Sequence, residues 1–150
     1  MKKADFETMV DKAFWGLEAK SGFKKTETSF VKRTCTIKFA NPTTVITLNY
    51  ELGNEPWVEI ADANNIKNKS TLGWLLVELG LEDPPTTEQA FRPTMLSADA
   101  LEPFIINLGK QLQVHGEKLL KGDFSILPVL QSRAQKYDKD CQRYLSIQKS

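Results

Sequence analysis

The apolar residues of this chain change their spacing twice, and this restricts the folds open to it. Over residues 6–17 they recur at intervals of three and four, the period of an amphipathic helix. Gly22 follows and suits the left-handed end of such a helix. Over residues 31–60 apolar and polar residues alternate, which is the period of half-buried strands. The helical period then returns and continues to about residue 147.

Two turn-forming pairs, Asn41-Pro42 and Gly53-Asn54, divide the alternating region into strands. The pattern predicts a weak first strand and three clearer ones: 23–28, 31–39, 43–52 and one that begins at residue 57. Connections this short join antiparallel neighbours, so the strands should form a meander. The polar run at residues 63–70 is predicted as a loop.

The C-terminal half is predicted to form three to four helices, one of which is a single short turn. They are expected at about 70–80, 86–91, 97–122 and 125–147. Residues 1–150 are therefore predicted to form one α+β domain: an N-terminal helix, a three- to four-stranded antiparallel meander sheet, and helices packed on one face of that sheet.

Composition excludes several functional classes. One histidine and two cysteines supply too few ligands for an ordinary zinc site, and no calcium-loop or phosphate-cradle motif occurs. We therefore expect neither a metal nor a cofactor. No apolar run is long enough to span a membrane, and the first ten residues lack the apolar centre of a secretory signal. These features predict a cytoplasmic protein that does not bind membranes.

The residues that could carry catalysis have simpler interpretations. His115 lies near the apolar stripe of the long helix, and no local motif provides a nucleophile for it to activate. Cys35 and Cys141 fall on apolar faces and are predicted to be small hydrophobic residues in a reducing compartment. We therefore predict that the chain is not an enzyme.

The net charge of +1 conceals an uneven distribution. Residues 1–40 carry nine basic and five acidic side chains, and residues 111–150 carry seven and four. Residues 41–110 carry four basic and ten acidic side chains, a net charge of −6. An acidic middle repels nucleic acid and attracts basic partners. The basic N-terminal segment lacks interleaved aromatic residues, which further argues against nucleic-acid binding.

The acidic middle also contains tryptophan, which is common at the centres of protein interfaces. Trp57 is predicted to lie on the strand face opposite Val58 and Ile60. The sequence therefore predicts an acidic and aromatic face that binds another protein, with six contributing residues: Glu55, Trp57, Glu59, Asp62, Glu82 and Asp83.

Two short elements resemble known bacterial sequences. A leading amphipathic helix followed by Gly22-Phe23-Lys24-Lys25 and a meander resembles small bacterial domains of the polymorphic-toxin immunity type. Residues 119–124, LLKGDF, are similar to a recurring element of uncharacterised bacterial families. The resemblance implies a small cytoplasmic protein whose acidic face binds another protein, such as a toxin domain with a basic active site.

Two alternatives remain open. The first is a small-ligand site or enzyme pocket between the sheet and the long helix, whose polar contacts would come from four residues: Arg33, Tyr50, Arg92 and His115. Arg33 interrupts a strand face predicted to point inward, and a buried arginine needs an anionic partner. The second alternative is a self-associating structural protein, a homodimer formed through the apolar run at residues 72–81 or an open strand edge.

Overall fold

A computed structural model describes residues 2–92 and 95–149. The predicted α+β fold is confirmed: helix α1 comes first, a five-stranded antiparallel meander follows, and the remaining helices form the C-terminal half. The strands are β1 (Lys24–Val31), β2 (Thr34–Ala40), β3 (Thr44–Glu51), β4 (Trp57–Asp62) and β5 (Asn65–Thr71). The helices are α1 (Lys3–Ser21), α2 (Leu72–Glu78), α3 (Ala98–His115), α4 (Glu117–Leu120) and α5 (Leu127–Lys149), with a 3-10 turn at Gln89–Phe91.

The sheet has one strand more than the sequence predicted. The run at residues 63–70, predicted as a loop, contains all of β5 except Thr71, and β5 pairs antiparallel with β4. Its polar composition suits an edge strand, where solvated and charged side chains discourage pairing with other chains. The Lys69 Nζ of β5 also lies 3.7 Å from the Glu59 Oε2 of β4. The polar residues that made this segment look like a loop therefore stabilise the pairing of β5 with β4.

The prediction of one strand over residues 31–39 is also wrong for its first three residues. Val31 ends β1, and Lys32 and Arg33 form the turn into β2. Lys32 has a φ of 55°, a left-handed conformation that tight hairpin turns require and that alternation cannot reveal. The weak strand predicted at 23–28 is the first part of β1, which is longer than its pattern indicated.

Helices cover one face of the sheet. On that face alternate residues of the central strands, such as Ile37, Leu48 and Ile60, are almost completely buried. Helix α1 packs there through stacked rings: Phe14 lies 5.6 Å from Phe39, and Phe6 lies 5.2 Å from Tyr50, between ring centroids. The buried side chains form one continuous core that extends from Phe6 to Leu130.

The opposite face is polar and partly open to solvent. It carries Thr36, Thr47, Asn49 and Glu59, which alternate with the buried residues along β2, β3 and β4. Trp57 lies on this face beside Asn49 and is 43% exposed. This arrangement follows from a sheet that is buried on one side only.

Helix α5 is covered over only part of its length. Its N-terminal end contributes Leu127 and Leu130 to the core, whereas most of the remainder is exposed. The segment 79–92, which we call the strap, runs along its second half. Tyr137 donates a hydrogen bond to the backbone oxygen of Thr86 at 3.1 Å. The rings of Phe91 and Tyr144 stack with centroids 5.6 Å apart.

Gly109 marks the closest approach of α1 and α3. A Cβ at this position would lie 2.4 Å from the backbone oxygen of Ala13. We expect Gly109→Ala to lower the free energy of unfolding by about 1–3 kcal/mol, because the two backbones must separate. Alanine is favoured over glycine in a helix by about 1 kcal/mol, which reduces this loss of unfolding free energy but does not cancel it. Urea unfolding followed by circular dichroism measures the difference.

Gly73→Ala provides the matched control in α2. The nearest atom to a Cβ there is the Thr71 hydroxyl oxygen at 3.7 Å, an ordinary contact. This variant should be as stable as the original chain or slightly more stable. If Gly73→Ala and Gly109→Ala changed the free energy of unfolding equally, this would contradict the close approach of α1 and α3 at Gly109.

Candidate functional site

An open cleft of about 740 Å³ lies where α2, the second half of α5 and the strap meet the β3–β4 turn. Its aromatic wall consists of Trp74 and Tyr137, whose ring centroids are 5.5 Å apart with planes at 65°. The acidic side chains that line it come from three parts of the chain: Glu55, Glu82, Asp83 and Asp138. We call this space the Trp74 cleft. Its volume lies within the range typical of ligand-binding sites.

A second space of about 430 Å³ adjoins the first, since the two share Thr71, Trp74 and Asp138. We call it the side chamber. It lies against the open face of the sheet, where Glu59 and Lys69 contribute to its wall. The cleft and the side chamber together form a continuous groove with Trp74 between them.

The helix that positions Trp74 begins directly after β5. The Thr71 hydroxyl accepts a hydrogen bond from the Trp74 backbone N–H at 3.2 Å, which caps the start of α2. Leu72, Leu75 and Leu76 are buried beneath the helix. Trp74 is therefore directed toward the groove, where it remains partly exposed.

Tyr137 is held as an uncharged hydrogen-bond donor. Burial raises the pKa of its hydroxyl, and the neighbouring Cys141 thiol and Asp138 carboxylate raise it further. Its proton is donated to the Thr86 backbone oxygen, which fixes the strap against α5. Tyr137 therefore shapes the wall of the cleft and does not supply charge to it.

Some of the charged side chains that line the groove form ion pairs, and others do not. Lys69 lies 3.7 Å from Glu59, and Arg92 pairs with Glu88 one helical turn before it. Within residues 2–92 and 95–149, Glu82 and Asp83 have no basic side chain within 4 Å, and neither does Asp138. The cleft therefore presents carboxylates that the described part of the chain does not neutralise, next to an aromatic wall.

The structure gathers most of the residues predicted to bind a partner. Glu55, Glu82 and Asp83 line the Trp74 cleft, although 27 positions separate Glu55 from Glu82 in the sequence. Glu59 lines the side chamber. Trp57 is on the same strand face as Glu59, two residues away, and therefore about 7 Å from it.

Asp62 is the exception among the six. It lies at the end of β4, where its carboxylate accepts a hydrogen bond from the Asn64 backbone N–H at 2.8 Å. This is a turn-forming contact of the β4–β5 hairpin. Asp62 lines neither the Trp74 cleft nor the side chamber.

The residues predicted for a small-ligand site are dispersed. The prediction that Arg33 points into the core is wrong, because Arg33 is an exposed turn residue that donates to the Leu52 backbone oxygen at 3.3 Å. Tyr50 is buried and lines a cavity of about 230 Å³ beneath three lysines. Arg92 lines the Trp74 cleft. His115 lines a third space, a groove of about 550 Å³ beside Leu79 and Val114.

The two thiols differ in their surroundings. Cys35 is buried on the core face of β2, and burial raises the pKa of its thiol above the ordinary value. Cys141 is partly exposed beside Tyr137. Neither forms a disulfide. A buried thiol with a raised pKa is a poor nucleophile, so Cys35 serves packing.

Sequence reasoning missed three residues of the groove: Trp74, Tyr137 and Asp138. Both tyrosine and tryptophan occupy apolar positions of their helices, so the sequence pattern by itself assigns Trp74 to the core and Tyr137 to a helical stripe. The repeated prolines at 84–85 gave an indirect signal. A segment that cannot continue a helix has to cross the surface, and here it crosses α5 beside these residues.

Within residues 2–92 and 95–149, no three or more His, Cys, Asp or Glu side chains form a group that could hold a metal ion. None of the helices in this part of the chain is both long and apolar enough to cross a membrane. Comparison with protein-family models, with curated proteins and with solved structures finds no match to this chain.

Proposed function

We propose that this chain is a non-enzymatic protein-binding module of the immunity type, which occludes a basic region of a partner protein. The binding face consists of the Trp74 cleft, the side chamber and the adjoining strand face with Trp57. The observation that supports this most is that Glu82, Asp83 and Asp138 line an open cleft and, in the part of the chain that the structure describes, have no basic side chain within 4 Å.

Exposed carboxylates next to partly exposed aromatic rings suit such a role. Charge steers a basic partner toward the face, and the rings provide apolar area that is buried on contact. Glu59 pairs with Thr71 in the antiparallel register, so Trp57, two residues before Glu59, and Trp74, three residues after Thr71, lie toward the same end of this strand pair. One partner surface could therefore contact both. Two thiols without a disulfide fit the reducing cytoplasm, where we place the protein.

The proposal can be tested by site-specific photo-crosslinking in the native cell. One variant carries a photo-reactive amino acid in place of Gln135, an exposed residue that lines the side chamber. The control carries it in place of Trp15, which is 67% exposed on α1. We expect a protein to crosslink from position 135 and not from position 15.

The crosslinked protein should then bind the purified chain at a defined stoichiometry, and its own activity should fall when it is bound. Crosslinking of the same proteins from both positions would refute the proposal. Crosslinking only to a second copy of the chain would instead identify the groove as a self-association surface, which also overturns it.

A further inference from the structure

We infer that the Trp74 cleft receives an arginine side chain, carried by an extended segment of the partner, with its guanidinium over the Trp74 ring and against Glu82 and Asp83. This inference rests on the proposed function and names the group that the cleft recognises.

The aromatic wall has surface available for stacking. Tyr137 meets Trp74 at a steep angle, so the two rings are not stacked face to face. Trp74 lines both the cleft and the side chamber and is partly exposed. Tryptophan is the side chain over which a cation binds most strongly, and arginine is the protein cation found there most often.

The acidic side chains that line the cleft favour a positively charged group. Glu82 and Asp83 are adjacent in the strap, and Asp138 of α5 lines the same cleft. The basic side chains that line the groove, Lys69 and Arg92, already lie beside other carboxylates. An incoming cation would therefore find carboxylates that no basic group of the described chain neutralises.

The geometry favours arginine over lysine. A guanidinium is planar, so it can lie over an indole while its N–H groups donate to two carboxylates at the edge of the ring. An ammonium group is compact and strongly hydrated, and it loses more hydration in such a site. The cleft is lined by both an aromatic wall and carboxylates, which match the planar, charged group.

The shape favours an extended segment. The cleft of about 740 Å³ is larger than a single side chain needs, and it continues into the side chamber of about 430 Å³. The side chamber adjoins the open sheet face, which provides room for the residues that flank the arginine. A segment could therefore enter along the sheet and place one side chain at Trp74.

The test uses the full chain with Trp15 and Trp57 replaced by phenylalanine, so that Trp74 is the one tryptophan left and its emission can be excited selectively. The probes are the capped tripeptide Gly-Arg-Gly and two analogues, in which citrulline or lysine replaces arginine. Citrulline keeps the shape of arginine and removes its charge. We expect saturable quenching by the arginine peptide, binding at least tenfold weaker for the citrulline peptide, and intermediate binding for lysine.

Two variants locate the site. Glu82→Gln combined with Asp83→Asn should weaken binding of the arginine peptide at least fivefold. Glu18→Gln combined with Asp99→Asn, at exposed positions of α1 and α3 that line neither the cleft nor the side chamber, should change it less than twofold. Equal binding of the arginine and citrulline peptides would overturn the inference, and so would an equal effect of the two variants.

The two proposals fail in different ways. If a partner crosslinks from position 135 but the arginine peptide does not quench Trp74, the module binds proteins by another contact and the inference is wrong. If the arginine peptide binds and no protein crosslinks, the cleft recognises the guanidinium group and the protein-binding proposal is wrong.

Discussion

Replacing Asn41 by alanine is expected to lower the free energy of unfolding by about 2–4 kcal/mol, the largest loss that we predict for a partly exposed position. The Asn41 amide group donates to the backbone oxygens of Ser21 and Leu120, at 3.1 and 3.0 Å. Its carbonyl oxygen accepts from the backbone N–H groups of Thr43 and Thr44 and from the Thr43 hydroxyl. One side chain thus joins the end of α1, the end of α4 and the β2–β3 turn.

The expected loss follows from the number of groups left without partners. A hydrogen bond contributes about 1 kcal/mol net, but a buried group that loses its partner costs about 1–3 kcal/mol. Thr44 beside it is completely buried and donates to the Leu119 backbone oxygen at 2.7 Å, so little water can replace the amide. Chemical unfolding monitored by circular dichroism measures the change.

Asn107→Ala is the control for Asn41→Ala. Asn107 is exposed on α3, where alanine is the better helix former, so the stability should stay constant or rise slightly. If Asn41→Ala costs no more than about 0.5 kcal/mol, its hydrogen bonds do not join the two halves of the fold as we describe.

Charge reversal in the cleft, Glu82→Lys with Asp83→Lys, is expected to weaken partner binding about 100-fold, which corresponds to about 2.7 kcal/mol. Two attractive contacts with a basic partner become repulsive, and like charges across an interface cost several kcal/mol. Both residues lie in the strap after α2, so the fold should be retained. Titration calorimetry with the partner identified by crosslinking measures the affinity.

The matched variant Glu18→Lys with Glu117→Lys changes the net charge of the chain by the same amount. Both residues are exposed, on α1 and α4, and neither lines the groove. We expect it to weaken binding less than threefold and mainly at low salt, where distant charges are poorly screened. If the two double variants behave alike, binding depends on net charge and the cleft is not the site.

The order of elements could be predicted from the sequence because it depends on local periods. Each helix or strand has a face that must be buried, and this requirement produces the apolar stripe at residues 6–17 and the alternation in β2, β3 and β4. The two largest errors occurred where that requirement is weak. Strand β5 is an edge strand with mostly polar residues, and the turn at Lys32 depends on a left-handed residue that leaves no periodic trace.

The candidate site was predictable in part for a related reason. Glu55, Trp57, Glu59, Glu82 and Asp83 could be selected because charged and aromatic residues stand out in an acidic region. Their grouping around Trp74 and Asp138 could not be predicted. It depends on where the strap crosses α5, and that path is fixed by Tyr137 and Phe91 contacts between residues about 50 positions apart.

The sequence alone determined the class of fold, the uneven charge and the scarcity of catalytic and metal-binding side chains, since these depend on composition and local spacing. Only the tertiary structure decided that Arg33 is a turn residue, that Asn41 joins three elements, and that carboxylates from the β3–β4 turn, the strap and α5 share one cleft. The physical reason is that long-range packing, which no local pattern encodes, brings these side chains together.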